Sequence, residues 1–180
     1  QLEEEPGGVF YGVTKYKGYE QRGFRTPTGK FEIYSETLER MGYDPLPTHR
    51  EPLESPISTP DLSREYPLVL TTGARSLEYL HSQLRDVPRL RSRRPEPLAE
   101  IHPDTAARYG IGDGDMVNVE TKRGSIEIRV KVTEDIMPEV VSIPHGWAQA
   151  NVNILTDETP ADPVTGTPGL KALLCRIKKM

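Results

Sequence analysis

Cysteine is almost missing: Cys175 is the one thiol in 180 residues, so no disulfide framework and no Cys-rich zinc or iron–sulfur site can be assembled from this chain alone. Long apolar runs are missing as well. Nothing approaches 18 consecutive apolar residues, and the opening Gln1-Leu2-Glu3-Glu4-Glu5-Pro6 is acidic where a signal peptide is basic and then apolar, so direct membrane insertion is not expected. With Gln1 in place of an initiator Met, the sequence reads as a piece of something longer. No excess of one charge exists either: 23 Lys plus Arg face 27 Asp plus Glu, a formal net charge of -4, which offers no bulk attraction for nucleic acid. Hydrophobic residues make up 35%, which predicts a modest core. The signatures H-E-x-x-H, G-x-S-x-G, G-x-G-x-x-G and G-x-x-x-x-G-K-[ST] are all absent, leaving zincin, α/β-hydrolase, Rossmann and P-loop readings without their residues.

Proline is what the chain has in abundance: 17 residues, nearly twice the usual share of about 5%. Each removes an amide donor and clashes with the preceding turn, which rules out a helical bundle. Seven of the 17 fall within residues 1–65, and that stretch reads as an N-terminal arm and linker. Inside it, Lys30-Phe31-Glu32-Ile33-Tyr34 alternates like a short strand, and Ser35 is placed to cap a brief helix that Gly42 ends. The stretch from Pro45 to Pro60 is expected to be an extended connector.

Residues 66–180 read as strands and tight turns. Leu68 to Thr72 is a short β-prone run; Met116 to Thr121 and Ser125 to Val132 alternate around Lys122-Arg123-Gly124, a hairpin-length turn. Val140 to Ile143 and Leu173 to Ile177 are further strands, and Pro103 opens a short helix that Gly110 terminates. Short strands, one hairpin and one short helix predict a mainly β domain, a small mixed barrel in place of a sandwich.

Chemistry is confined to a few clusters. The four histidines are too dispersed for a local metal motif, and Asp113-Gly114-Asp115 lacks the remaining ligands of a calcium loop. Arg85, Arg89, Arg91, Arg93 and Arg94 form the one basic cluster; without interleaved aromatics it reads as a solvated loop and not as a nucleic-acid site. Three other stretches place ligand-capable side chains at strand ends. Thr71-Thr72-Gly73-Ala74-Arg75 offers hydroxyls, turn amides and a guanidinium for anionic oxygen, with His81-Ser82 close behind. Pro144-His145-Gly146-Trp147 carries the only Trp. Asn151-Val152-Asn153 leads to Asp157 and Asp162, amides and carboxylates that match the donor and acceptor edge of a purine or pterin. Singly, each reads better as turn punctuation. Together they describe a pocket.

The order of these pieces carries a resemblance. Thr26-Pro27-Thr28-Gly29-Lys30-Phe31-Glu32, then Leu70 to Arg75 with His81-Ser82, then Ile101-His102-Pro103-Asp104, Gly110 to Val117, Arg123-Gly124, Pro144 to Trp147 and Asn153 to Thr156 resemble, in series, the C-terminal part of molybdopterin oxidoreductases of the dimethyl sulfoxide reductase family. Within that family the series is most similar to the thiosulfate, polysulfide or arsenate reductase type. The resemblance implies a six-stranded double-psi β-barrel that binds molybdopterin guanine dinucleotide, with molybdenum or tungsten. It implies that Thr72, Gly73, Arg75, His81 and Ser82 line the cofactor near its phosphates and pterin. His145, Trp147, Asn153 and Lys171 close the pterin side, and Asp157 or Asp162 reads guanine. The family's metal ligand and iron–sulfur cysteines belong to regions upstream, so no catalytic or metal-ligating residue is expected here, and Cys175 is expected in the core.

The implied function is to bind and orient the cofactor as the C-terminal domain of an oxidoreductase catalytic subunit, with no turnover by this segment alone. Implied partners are the remainder of the same subunit and an iron–sulfur electron-transfer subunit, in bacterial or archaeal cytoplasm or periplasm. Two alternatives come from other classes. One is a non-enzymatic barrel adaptor that binds a protein partner through the loop from Arg85 to Arg94. The other is self-cleavage at Gly124-Ser125 to a pyruvoyl group, a pair better explained by hairpin geometry.

Overall fold

The computed structural model describes residues 16–73, 75–158 and 160–180. The first fifteen residues of the expected arm, Ala74 of the expected anion loop and Thr159 lie outside the described residues. The chain divides into two compact units, Gln1–Arg50 and Glu51–Met180.

In the first unit, α1 (Tyr19–Arg22) and α2 (Glu36–Arg40) are single short helices. Ser35 caps α2 as its sequence predicts: its Oγ accepts from the Leu38 amide at 3.3 Å. Lys30 to Tyr34, by contrast, forms no strand. A strand needs a paired neighbour, and no described residue of this unit supplies one. Phe31 instead meets the Phe24 ring edge-on at 5.9 Å.

The second unit opens with α3 (Pro60–Glu65), where Pro60 takes the first-turn position its missing amide suits. Then follow β1 (Leu68–Thr71), α4 (Pro88–Arg91), β2 (Leu98–Ile101), α5 (Pro103–Tyr109), β3 (Met116–Thr121), β4 (Gly124–Val132), β5 (Val140–Ser142), a 3₁₀ turn (Val152–Leu155) and β6 (Leu173–Lys179). The six strands close into a barrel in the order β1-β5-β2-β4-β3-β6, with β1–β5 and β2–β4 parallel and the other pairs antiparallel. The fold is mainly β, a six-stranded double-psi barrel as expected. Alternation decides which side chains fill it. Leu68, Leu70, Val117, Val119, Ile126, Ile128 and Val130 point into one core, with Ile101 and Ile177 from β2 and β6. Cys175 lies in that core, fully buried, and burial pushes its thiol well above the ordinary range.

The pairing directions sort the connections. Adjacent chain strands run alternately up and down, so the segments 72–97, 122–123 and 143–172 all leave from one end of the barrel, and 102–115 and 133–139 from the other. Glu54, in the Pro-rich stretch before α3, is bound into the first of these ends. Its Oε1 accepts from the Leu174 amide at 2.7 Å, and its carboxylate pairs with Arg123 at 2.9 Å and Lys122 at 3.0 Å. Residues 51–65 are grouped with the barrel in the compact unit Glu51–Met180. Burial alone would raise the Glu54 carboxyl; the hydrogen bonds from Arg123, the Leu174 amide and Lys122 outweigh it and hold the carboxyl below its ordinary value.

Replacing Glu54 with Ala leaves Arg123, whose side chain is 14% exposed, short of its main partner. The expected cost is about 3 kcal/mol, the low end for breaking a buried pair, because Arg123 keeps Asp157. Since the folded-state pKa lies below the unfolded value of about 4.3, this contribution is present above that pH and lost as pH falls through the folded value. Urea midpoints should accordingly drop less between about pH 6 and pH 3 in Glu54→Gln than in the parent chain.

Gly124 is fixed by a close approach. A Cβ there would stand 2.7 Å from Ile154 Cγ2 and 2.9 Å from the Ile154 carbonyl oxygen, so Gly124→Ala must displace the 3₁₀ turn, at a cost of about 1–3 kcal/mol. Trimming Ile154 to Ala in that background should recover part of the loss and no more, since the carbonyl contact stays; full recovery in the urea midpoint would contradict this account.

Candidate functional site

Thr72, the residue after β1, is buried, and its hydroxyl donates to the Leu170 carbonyl at 2.6 Å. Next to it, Gly73 leaves room for Lys171: a Cβ at that position would lie 3.2 Å from Lys171 Cε and 3.3 Å from its Cδ. The Thr72 carbonyl meets His145 Nδ1 at 3.0 Å, and His145 Nε2 meets His81 Nδ1 at 2.6 Å. A carbonyl only accepts, so His145 carries its proton on Nδ1. In the neutral pair its Nε2 then accepts from His81 Nδ1, and His81 Nε2 is left as an acceptor with no partner among the described residues. His81 adopts φ 57°, a left-handed conformation that costs a non-glycine residue about 1–2 kcal/mol.

Trp147 is buried beside this chain. Tyr79 packs edge-on against it at 5.7 Å and donates its hydroxyl to the Arg94 carbonyl at 2.6 Å, while the Arg85 guanidinium lies 3.6 Å from the Trp147 ring centroid. Arg85 Nη2 donates to the His81 carbonyl at 3.0 Å; its buried Nε has no hydrogen-bond partner. Burial pulls the Arg85 pKa below the usual guanidinium range. Gly146 makes the crossing possible: its φ is 86°, and a Cβ would stand 3.3 Å from the His81 carbonyl carbon and the Ser82 amide, and 3.4 Å from Arg85 Nη2.

Arg75, Ser76, Tyr79, His81, Pro144, His145 and Trp147 line a cleft between these loops. It encloses about 10 Å³, room for about one water, so a larger molecule has to lie across the rim. Among the described residues Arg75, Arg85 and Lys171 have no carboxylate partner, and no group of His, Cys, Asp or Glu could hold a metal ion. An uncompensated Arg75 in the same cleft as a hydrogen-bond acceptor suits an anion that also presents N–H donors.

The remaining expected residues share the barrel end without joining the histidine pair. Ser82 is exposed behind His81. Asn153 sits on the 3₁₀ turn, its amide hydrogen donated to Asn151 Oδ1, its side chain exposed. Asp157 accepts from Arg123 Nε at 3.4 Å. Asp162 Oδ1 accepts from the Thr165 amide at 2.7 Å, the Thr165 hydroxyl at 2.9 Å and the Val164 amide at 3.1 Å. Those bonds, the Thr165 amide first, hold its carboxyl below the ordinary range. Arg85 and Tyr79 join the site only through the fold. The signal for Arg85 was present in the basic cluster, but nothing in its spacing pointed to Trp147.

Residues 68–174 match the family model described as the Molydopterin dinucleotide binding domain, the domain that takes molybdopterin dinucleotide. Acetylene hydratase of Syntrophotalea acetylenica is 42% identical over 156 residues, covering 86% of this chain and 20% of that protein. Dopamine dehydroxylase of Eggerthella lenta is 39% identical over 189 residues, covering 96% and 18%, and the dimethyl sulfoxide/trimethylamine N-oxide reductase of Rhodobacter capsulatus is 43% identical over 128 residues, covering 67% and 15%. The solved structure of acetylene hydratase from Pelobacter acetylenicus superposes with a TM-score of 0.78 at 33% identity, over 92% of this chain and 25% of that one. The chain thus spans about a fifth of the length of the curated relatives it matches, and a barrel adaptor is not the favoured reading. With its barrel topology and its ordered loops, this chain belongs to the molybdopterin dinucleotide-binding domains of the dimethyl sulfoxide reductase family of oxidoreductases.

Proposed function

We propose that this chain holds a molybdopterin guanine dinucleotide across the barrel end formed by residues 72–97, 122–123 and 143–172, as part of a longer oxidoreductase catalytic subunit. The observation that carries the reading is the His145–His81 pair, which leaves an acceptor on His81 Nε2 in a cleft that Arg75 also lines, with Arg85 on the His81 carbonyl and Lys171 beside Gly73, all three cations without acidic partners among the described residues. Thr72, Gly73, Arg75, His81 and Ser82 would line the phosphates and pterin. His145, Trp147, Asn153 and Lys171 would close the pterin side. Asp157 or Asp162 would accept from the guanine ring NH and amino group.

When bound, the cofactor supplies the atom-transfer and electron chemistry. The chain's own residues bind it, orient it and fix its hydrogen bonds. Relatives named for acetylene hydration, dopamine dehydroxylation and sulfoxide or N-oxide reduction share this segment, which supports a role in what they have in common. The metal, molybdenum or tungsten, would take its protein ligand from outside this chain, and an iron–sulfur cluster and electron-transfer partner would likewise engage the rest of the subunit.

Arg75→Ala in the full-length subunit should lower bound cofactor. A lost charge-assisted hydrogen bond is worth about 1.5–3 kcal/mol, roughly a tenfold to hundredfold weaker hold. Metal and nucleotide released per subunit measure it; unchanged content together with unchanged activity would count against the reading.

A further inference from the structure

Arg85 has an unusual place for a charged side chain. It pairs with no acid among the described residues, its Nε is buried without a partner, and its guanidinium carbon lies 3.6 Å from the ring centroid of the one Trp. Neither a solvated loop nor an ion pair accounts for that. Its single hydrogen bond runs to the carbonyl of His81, the residue whose backbone is left-handed and whose ring closes on His145. The guanidinium carbon lies 3.6 Å from the Trp147 ring centroid and 5.6 Å from that of Tyr79, and Gly146 leaves the space through which Nη2 reaches His81.

We propose that Arg85 is a positioning residue of the cofactor rim: stacked on Trp147, it clamps the His81 carbonyl and thereby fixes the His81 ring on His145. The inference rests on the reading of this rim as the cofactor site. Its physical content is shape more than charge. A guanidinium is planar, stacks on an indole and presents donors in a rigid fork; an ammonium is a hydrated point charge on a flexible stem. Lysine at 85 keeps the charge and loses the clamp. Because Arg85 acts through His81, removing it after His81 is gone should change nothing further.

The test uses the full-length subunit, purified with cofactor, and follows the rate at which nucleotide and metal are lost, with the thermal midpoint and the EPR signal of the metal recorded alongside. Arg85→Ala, Arg85→Lys and His81→Ala are each expected to lose cofactor about tenfold faster, the size of couplings between residues in contact. The double variant His81→Ala/Arg85→Ala should lose it no faster than His81→Ala. The EPR signal of the retained fraction should shift the same way in Arg85→Lys and His81→Ala. If Arg85→Ala yields no soluble subunit, Arg85→Met, which fills the same space on Trp147 without a donor, replaces it with the same expectation. Parent-like retention in Arg85→Lys would show that charge suffices, and a double variant with the product of the two single effects would show that Arg85 acts apart from His81; either overturns the proposal. His81→Ala with parent-like retention would instead overturn the reading of the rim, whereas a defect in His81→Ala beside an unaffected Arg85→Ala would sink this inference alone.

Discussion

A closed sheet has no free edge, so every connection must leave from one end of the barrel or the other. Strand direction decides which. Here β1, β3 and β5 run one way and β2, β4 and β6 the other, so that the three segments 72–97, 122–123 and 143–172 are forced to the same end. Every residue of the expected site lies in the first or last of those segments. The site is therefore a consequence of pairing: residues nearly a hundred apart in the chain, such as Thr72 and Lys171, become neighbours because β1 pairs with β6 at Leu70 and Leu173.

Within that end, two kinds of interaction do different things. Glu54, Arg123 and the Leu174 amide tie the chain before β1 to the β3–β4 turn and to the start of β6. That network is buried, acid-compensated and internal. The group of Arg75, Arg85, Lys171 and the two histidines is the reverse, cationic without acidic partners among the described residues. A buried charge left unpaired costs stability, so the acid-compensated cluster holds the fold, while the cationic one is the part we propose meets a ligand.

How much of this was legible depended on whether neighbours in sequence or in space carried the signal. The alternation of Val117, Val119 and Thr121 against polar neighbours, and of Ile126, Ile128 and Val130, placed β3 and β4 and the turn between them, because a period of two is a local property. The strand β2 was not seen: Leu98-Ala99-Glu100-Ile101 follows Pro95 and Pro97, and Glu100 interrupts the apolar run because it pairs across the sheet with Lys131. The alternation of Lys30 to Tyr34 misled for the complementary reason, a strand pattern with no partner strand. Sequence alone groups Arg85 with its neighbours as a loop, since its contact with Trp147, 62 residues on, is a fact of the closed barrel and not of the local sequence. Glu54 was hidden in the same way among prolines.

The one thiol bears on the division of labour between this chain and the remainder of the catalytic subunit we propose it belongs to. A soft metal ligand has to be a thiolate with an open path to the ion. Cys175 is paired into β6 against Leu68, fully buried among aliphatic side chains, and its thiol is pushed up by burial and by the Glu54 charge. Making it a ligand would require opening the sheet at the strand that closes the barrel. The chemistry available at the proposed site is thus what its loops carry: hydroxyls, imidazoles, amides, carboxylates, an ammonium and guanidiniums. Such groups hold and orient an anionic heterocycle well and do little redox chemistry of their own, which is the partition expected where the cofactor reacts and the protein positions it.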